Sequence, residues 1–234
     1  MVRMLKPIVK SITNLSKFER ILWAVSVAVV TVSMLASGNP DALIFLATLT
    51  GLTALIFIAR GDVLGQILII IFSTLYAAVS FRFAYYGEMI SYVFMSGGVA
   101  LLSTVTWLRH PFSEKQVRIS RPSRRALAVL GALTVVVTVT FYFLLKLLGT
   151  SNLPFSTVSV ATSFVASSLT LLRSPYYALA YALNDVVLIV LWVCAAISDP
   201  SSIPMIPCFA MFLINDLYGF FNWLRMEKHQ NKIK

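Results

Sequence analysis

Residues 213–225 read "LINDLYGFFNWLR", and the fold turns on how this stretch is read. It closes a long apolar run, yet it holds Asn215, Asp216 and Asn222 and ends in Trp-Leu-Arg. The ending has a twin 116 residues earlier, where "TWLRH" places Trp107 as "NWLRM" places Trp223. A second pair matches nearby: "LIFIARGD" (55–62) and "LTLLRSPY" (169–176) each finish an apolar run with one arginine, Arg60 and Arg173, 113 residues apart. Two units, 41–109 and 155–225, are therefore related in direct order.

The units are membranous. Of the 234 residues 59% are hydrophobic and 12% charged, with a mean hydropathy of +0.85, outside the balance of a water-soluble domain. A crossing helix needs about 20 apolar residues. Eight segments qualify: 21–37, 41–59, 63–81, 88–107, 125–148, 155–172, 176–197 and 203–224. Runs such as "LTVVVTVTFYFLLKLL" (133–148) lack the alternation of a β-barrel strand, so the expectation is an all-α membrane protein. Each repeat has three spans, which reverses the chain's direction. The linker helix 125–148 restores it, so the repeats run parallel, in a 3+1+3 order with an extra helix, 21–37, in front. Parallel repeats about an axis normal to the membrane are one way to build a transporter with a mid-membrane site.

The net charge of +10 is unevenly placed. Seventeen of the 19 Lys and Arg fall in the tail 1–20, at Arg60, in the loop 108–125, at Arg173 and in the tail 225–234, leaving Arg82 and Lys146 opposite. Positive charge collects on the cytoplasmic side, so both termini are expected there. The polar start is no signal peptide. The loop "RISRPSRR" (118–125) reads as a solvated linker facing the lipid headgroups, not as a nucleic-acid patch. Trp107 and Trp223, each beside an arginine at a span end, read as interfacial anchors.

Cys194 and Cys208 lie inside spans without metal spacing, and neither His110 nor His229 sits at membrane depth, so no cofactor or zinc site is implied. An intramembrane enzyme would need a nucleophile and base there, for which two separated aspartates are a poor basis. Those aspartates are the candidates for a solute site, since an acid at the centre of a span costs about 2.5 to 3.5 kcal/mol on insertion scales. Asp185 stands near mid-span in "YALNDVVLIVLW" (181–192), and Asp216 stands in the last span. Around them Tyr177, Tyr181 and Asn184 cluster on span seven, while Asn215, Tyr218 and Asn222 form a stripe at i, i+3 and i+7 on span eight. Phenols and amides on an aromatic wall suit a ring-plus-ribose ligand. The hydroxyl-rich "STVSVATSFVASS" (156–168) reads as helix packing. Glu88 reads as a carboxylate favoured beside a helix N-terminus.

With "FERILW" (18–23), "ARGD" (59–62), "LYAAVSF" (75–81), "YGEM" (86–89), "NDVVLIVLW" (184–192) and "NDLYGFFNW" (215–223), the chain resembles the PnuC-type vitamin transporters, the nicotinamide riboside transporter family. The resemblance covers most of the chain from about residue 18. It implies a facilitator of a bacterial plasma membrane that carries nicotinamide riboside or a similar precursor, with thiamine, riboflavin and deoxynucleosides as alternatives. Its uptake is made one-way by phosphorylation of the solute in the cytosol. The family's span-seven signature, W-x-x-W-x-x-x-[N/D], puts its acid or amide on Asp185, or on Asn184 after a shift of one. Its tryptophan positions fall on Ala178 and Tyr181, and its span-four asparagine and glutamine on Tyr92 and Ala100. The implied partners are a small solute and the bilayer, with a homo-oligomer compatible.

Overall fold

The structure is a computed structural model that describes residues 15–38, 40–113 and 116–233. The first 14 residues of the expected cytosolic tail, and Lys234, lie outside the described residues. Among the described residues eight helices are long and apolar enough to cross a membrane. Helix α1 spans Lys17–Ala36, starting a turn earlier than expected because Ser16 and Glu19 form a reciprocal capping box: Glu19 N donates to Ser16 Oγ at 3.2 Å and Ser16 N to Glu19 Oε2 at 2.7 Å. Helices α2 (Ala42–Ala59) and α3 (Val63–Arg82) are capped by Asp41 and Asp62, whose side chains accept the first free backbone N–H groups. Asp41 also receives Arg82 Nη1 at 2.7 Å, tying the start of α2 to the end of α3.

Helix α4 spans Tyr86–Arg109, and its stretch Ser91–Gly97 is wound as a π-helix. Helix α5 (Arg124–Leu147) stands at the edge, with only Leu130 and Leu145 buried, as befits a linker whose faces meet lipid. Helices α6 (Leu153–Leu171), α7 (Tyr177–Ser198) and α8 (Met205–Lys232) follow, and α8 carries the expected C-terminal tail two turns further as helix. We call the side bearing Arg60, Arg109 and Arg173 the basic face, and the side bearing Arg82 and Lys146 the far face.

At the basic face the two repeats grip each other reciprocally. Trp223 Nε1, from the third helix of the second repeat, donates to Ile58 O at the end of α2, 2.9 Å away. Trp107 Nε1, from the third helix of the first, donates to Thr170 O at the end of α6, 3.3 Å away. The two rings lie 5.5 Å apart and are 1% and 0% exposed. This corrects the reading of both as interfacial anchors: the indole N–H finds a helix-end carbonyl in the protein, so neither ring has reason to reach the headgroups.

The turns after α2 and α6 correct the repeat register as well. In both, a backbone N–H returns five residues, Asp62 N to Phe57 O and Ser174 N to Leu169 O, around a left-handed residue. That residue is Gly61 in one repeat (φ +68) and Arg173 in the other (φ +58). Arg173 is thus the counterpart of Gly61, not of Arg60.

The basic loop is not a free linker either. Its backbone bonds both turns, Val117 N to Gly61 O and Ser120 N to Arg173 O, each at 3.0 Å. The extended α8 holds it from below: Gln230 Nε2 donates to Val117 O, and Arg121 forks onto Glu227 at 2.7 and 2.9 Å. Toward the far face the core is aromatic, with Tyr76, Tyr85, Trp192 and Phe209 buried together and Trp192 Nε1 donating to Tyr76 Oη at 2.9 Å. Replacing Trp223 by Phe keeps the ring but removes its bond to Ile58 O; we expect a loss of about 1–3 kcal/mol, read as a lower unfolding temperature in detergent.

Candidate functional site

Between the far-face aromatics and the tryptophan joint lies a cavity walled by both repeats. Helix α7 presents Tyr177, Tyr181 and Asp185 at four-residue spacing, which keeps them on one face. Helix α8 adds Phe212 and Asp216 in the same register. Opposite, α3 contributes Gln66 and Phe72, and α4 contributes Tyr92, Ser96 and Ser103. The cavity encloses about 570 Å³ of atom-free space including its mouth, but only about 40 Å³ admits the centre of a water-sized molecule. It is a narrow slot with room for a few waters.

The wall carries unused hydrogen-bonding capacity. Gln66 Nε2, Ser96 Oγ, Ser103 Oγ and Asp185 Oδ2 are buried and have no hydrogen-bond partner among the described residues. Buried polar atoms without partners are costly. A solute with hydroxyl and amide groups would supply them. Among the described residues no Lys, Arg or His lines the slot, so its fixed groups are two carboxyls, an amide, hydroxyls and aromatic faces.

Of the nine sequence candidates, the structure brings five to the slot: Asp185, Asp216, Tyr92, Tyr177 and Tyr181. The other four turn elsewhere. Asn184 is one residue, or about 100°, around the helix from Asp185 and meets α6, where its Oδ1 accepts from Ser159, Thr162 and Ser163 at 3.3, 2.7 and 3.2 Å. Asn215 Nδ2 donates to Ser26 Oγ on α1 at 3.1 Å. Tyr218 Oη donates to Glu19 Oε1 on α1 at 3.0 Å, and Asn222 Nδ2 to Ala59 O on α2 at 2.8 Å. The polar stripe on α8 is real, but it docks α1 and α2, while Asp216 on the next face looks into the slot. Gln66, Ser96 and Ser103 escaped the sequence reading. Gln66 carried the same signal as the aspartates, a polar side chain inside an apolar run, "GQILIIIF" (65–72).

Residues 41–225 match the family described as "Nicotinamide mononucleotide transporter". The chain belongs to that family. A relative from Neisseria mucosa, described as "Nicotinamide riboside transporter PnuC", is 28% identical over 200 residues, covering 82% of this chain and 76% of the relative. The solved "Crystal structure of the Vitamin B3 transporter PnuC" superposes with a TM-score of 0.81 at 26% identity, covering 93% of this chain and 94% of the other. The family fold thus extends over all eight helices, α1 included, and the slot lies inside the matched region. The descriptions of these relatives are those of transporters, and the slot suits such a role: it is largely apolar with a few polar groups, and it is shared by the two halves.

Asn184→Ala would strip the shared acceptor from three hydroxyls on α6. We expect it to cost about 1–3 kcal/mol of stability in thermal unfolding while leaving solute affinity unchanged.

Proposed function

We propose that this chain is a facilitator for nicotinamide riboside, multi-pass in a bacterial plasma membrane with both termini cytoplasmic, and that the solute binds in the slot between the repeats. The observation that carries this reading is the lining: two carboxyls and several aromatic faces with no cationic side chain among the described residues. Asp185 and Asp216 balance the positive pyridinium, and the rings of Tyr92 and Tyr181 flank it, since aromatic faces attract cations. Gln66, Ser96 and Ser103 answer the ribose hydroxyls and the carboxamide.

The same lining supports the riboside over the mononucleotide. A phosphate is held by Arg or Lys forks, and beside two acids it would meet repulsion instead. Orientation rests on the arginines and lysines gathered on the basic face, which meets the cytoplasm by the positive-inside rule. The narrowness of the slot supports alternating access, with the repeats parting to admit a nucleoside-sized solute and closing behind it. Thiamine is the second reading: it too is a cation suited to the two carboxyls, and Ala178 and Tyr181 stand where the family signature has tryptophans, which changes the stacking surface for the ring.

Purified protein should be stabilised on heating by nicotinamide riboside, because a ligand that binds the native state raises its apparent stability. Nicotinamide mononucleotide should shift it far less. Asp185→Asn should weaken riboside binding about tenfold, or about 1.4 kcal/mol. An unchanged titration with that variant would remove Asp185 from the site, and a larger shift with thiamine would reassign the solute.

A further inference from the structure

Glu88 is a carboxylate that the slot does not use. It sits in the first turn of α4, near the far face, and is 0% exposed. Neither of its oxygens has a hydrogen-bond partner among the described residues, and Ser91 Oγ, three residues on, has none either. The enclosure is tight: a Cβ on neighbouring Gly87 would stand 3.0 Å from Leu145 of α5 and 3.2 Å from Ser156 of α6. The hydroxyl of Ser159 stands beside it and also reaches Asn184 Oδ1 at 3.3 Å. A helix N-terminus alone does not account for such a group, since the first-turn carboxylates it favours are ordinarily hydrated or capping.

Tyr92 lines the slot and also stands within electrostatic reach of Glu88. Its ring packs on Tyr76 with centroids 4.2 Å apart. It belongs to the π-helical turn Ser91–Gly97, a winding that is rarely stable unaided and often marks functional movement. Rewinding that turn as α-helix would rotate Tyr92 and open Glu88 to the slot. At about 1.5 Å per residue, Glu88 lies a turn or less from the far-face end of α4, whereas Asp185 and Asp216 lie deeper, 13 and 11 residues from the far-face ends of theirs.

We propose that Glu88 is a second, transient binding site for the cationic ring of the solute, occupied between the far face and the Asp185–Asp216 pair and opened when Tyr92 moves with the π-helical turn. The proposal rests on the reading of the solute as a cation. In the resting arrangement the carboxylate lacks a partner; in transit the pyridinium is its partner, and the barrier to passage through the aromatic far half falls by their attraction.

The test uses full-length protein in proteoliposomes with two solutes of nearly equal shape: nicotinamide riboside, a cation, and its reduced dihydro form, which is neutral. Glu88→Gln should slow uptake of the cation about tenfold, leave uptake of the neutral form unchanged, and leave the equilibrium affinity for the cation intact, because the deeper acids still hold it. Glu88→Asp, which keeps the charge, should recover most of the rate. Cation uptake by Glu88→Gln at the wild-type rate would overturn the proposal. Equal slowing of both solutes would overturn it too, because it would mark a packing role. Loss of the cation preference in wild-type protein, together with unchanged binding in Asp185→Asn, would instead remove the cationic-solute reading beneath it.

Discussion

Hydrocarbon offers no hydrogen-bond partners, so the helix ends at the basic face must be satisfied by protein or by the thin layer of water beyond it. The carbonyls of Ile58 and Thr170 already accept a turn N–H from Gly61 and Arg173, and the indoles of Trp223 and Trp107 fill their second lone pairs. Because each indole comes from the opposite repeat, satisfying the backbone and joining the halves are one act. The cavity exists above this joint. The loop that bonds Gly61 O and Arg173 O closes the layer below it and ties the two turns together.

Above the joint the same constraint sorts the polar side chains into two kinds. Asn184 Oδ1, Asn215 Nδ2, Tyr218 Oη and Asn222 Nδ2 are bonded to protein partners and hold helices in place, although Asn184 Nδ2 and Asn215 Oδ1 stay unmatched among the described residues. Gln66, Ser96, Ser103 and Asp185 keep unmatched atoms on the slot wall. What distinguishes the two kinds is where they point, toward a neighbouring helix or into the slot. Glu88 resembles the second kind in its unmatched atoms but is enclosed away from the slot lining. Tyr92 and Ser96 sit on the π-helical turn, so the part of α4 that lines the slot is also its least regularly wound part.

Much of the fold was legible beforehand because hydropathy acts within one helix. Eight apolar runs gave eight spans, and their ends shifted only where a local device intervened, such as the Ser16–Glu19 box or the helical continuation of α8 through Glu227 and Gln230. The repeat was legible through Trp107 and Trp223, although the purpose of those rings was not: an indole beside an arginine at a span end looks the same whether it reaches lipid or a carbonyl in the other half. The register error at Arg60 had a similar origin. Matching letters paired arginine with arginine, whereas the backbone pairs the left-handed residues, Gly61 and Arg173.

The sequence by itself determined that eight segments are long and apolar enough to cross a membrane and that acids lie where acids are expensive, and its matching stretches pointed to two repeated units. Only the tertiary structure decided which polar residues look inward. Adjacent residues on a helix point about 100° apart, so Asn184 and Asp185 could not both face the slot, and nothing local to "ND" ranks them. The choice belongs to the neighbours: three hydroxyls on α6 claim Asn184, and the turn of α7 that satisfies them carries Asp185 into the cavity.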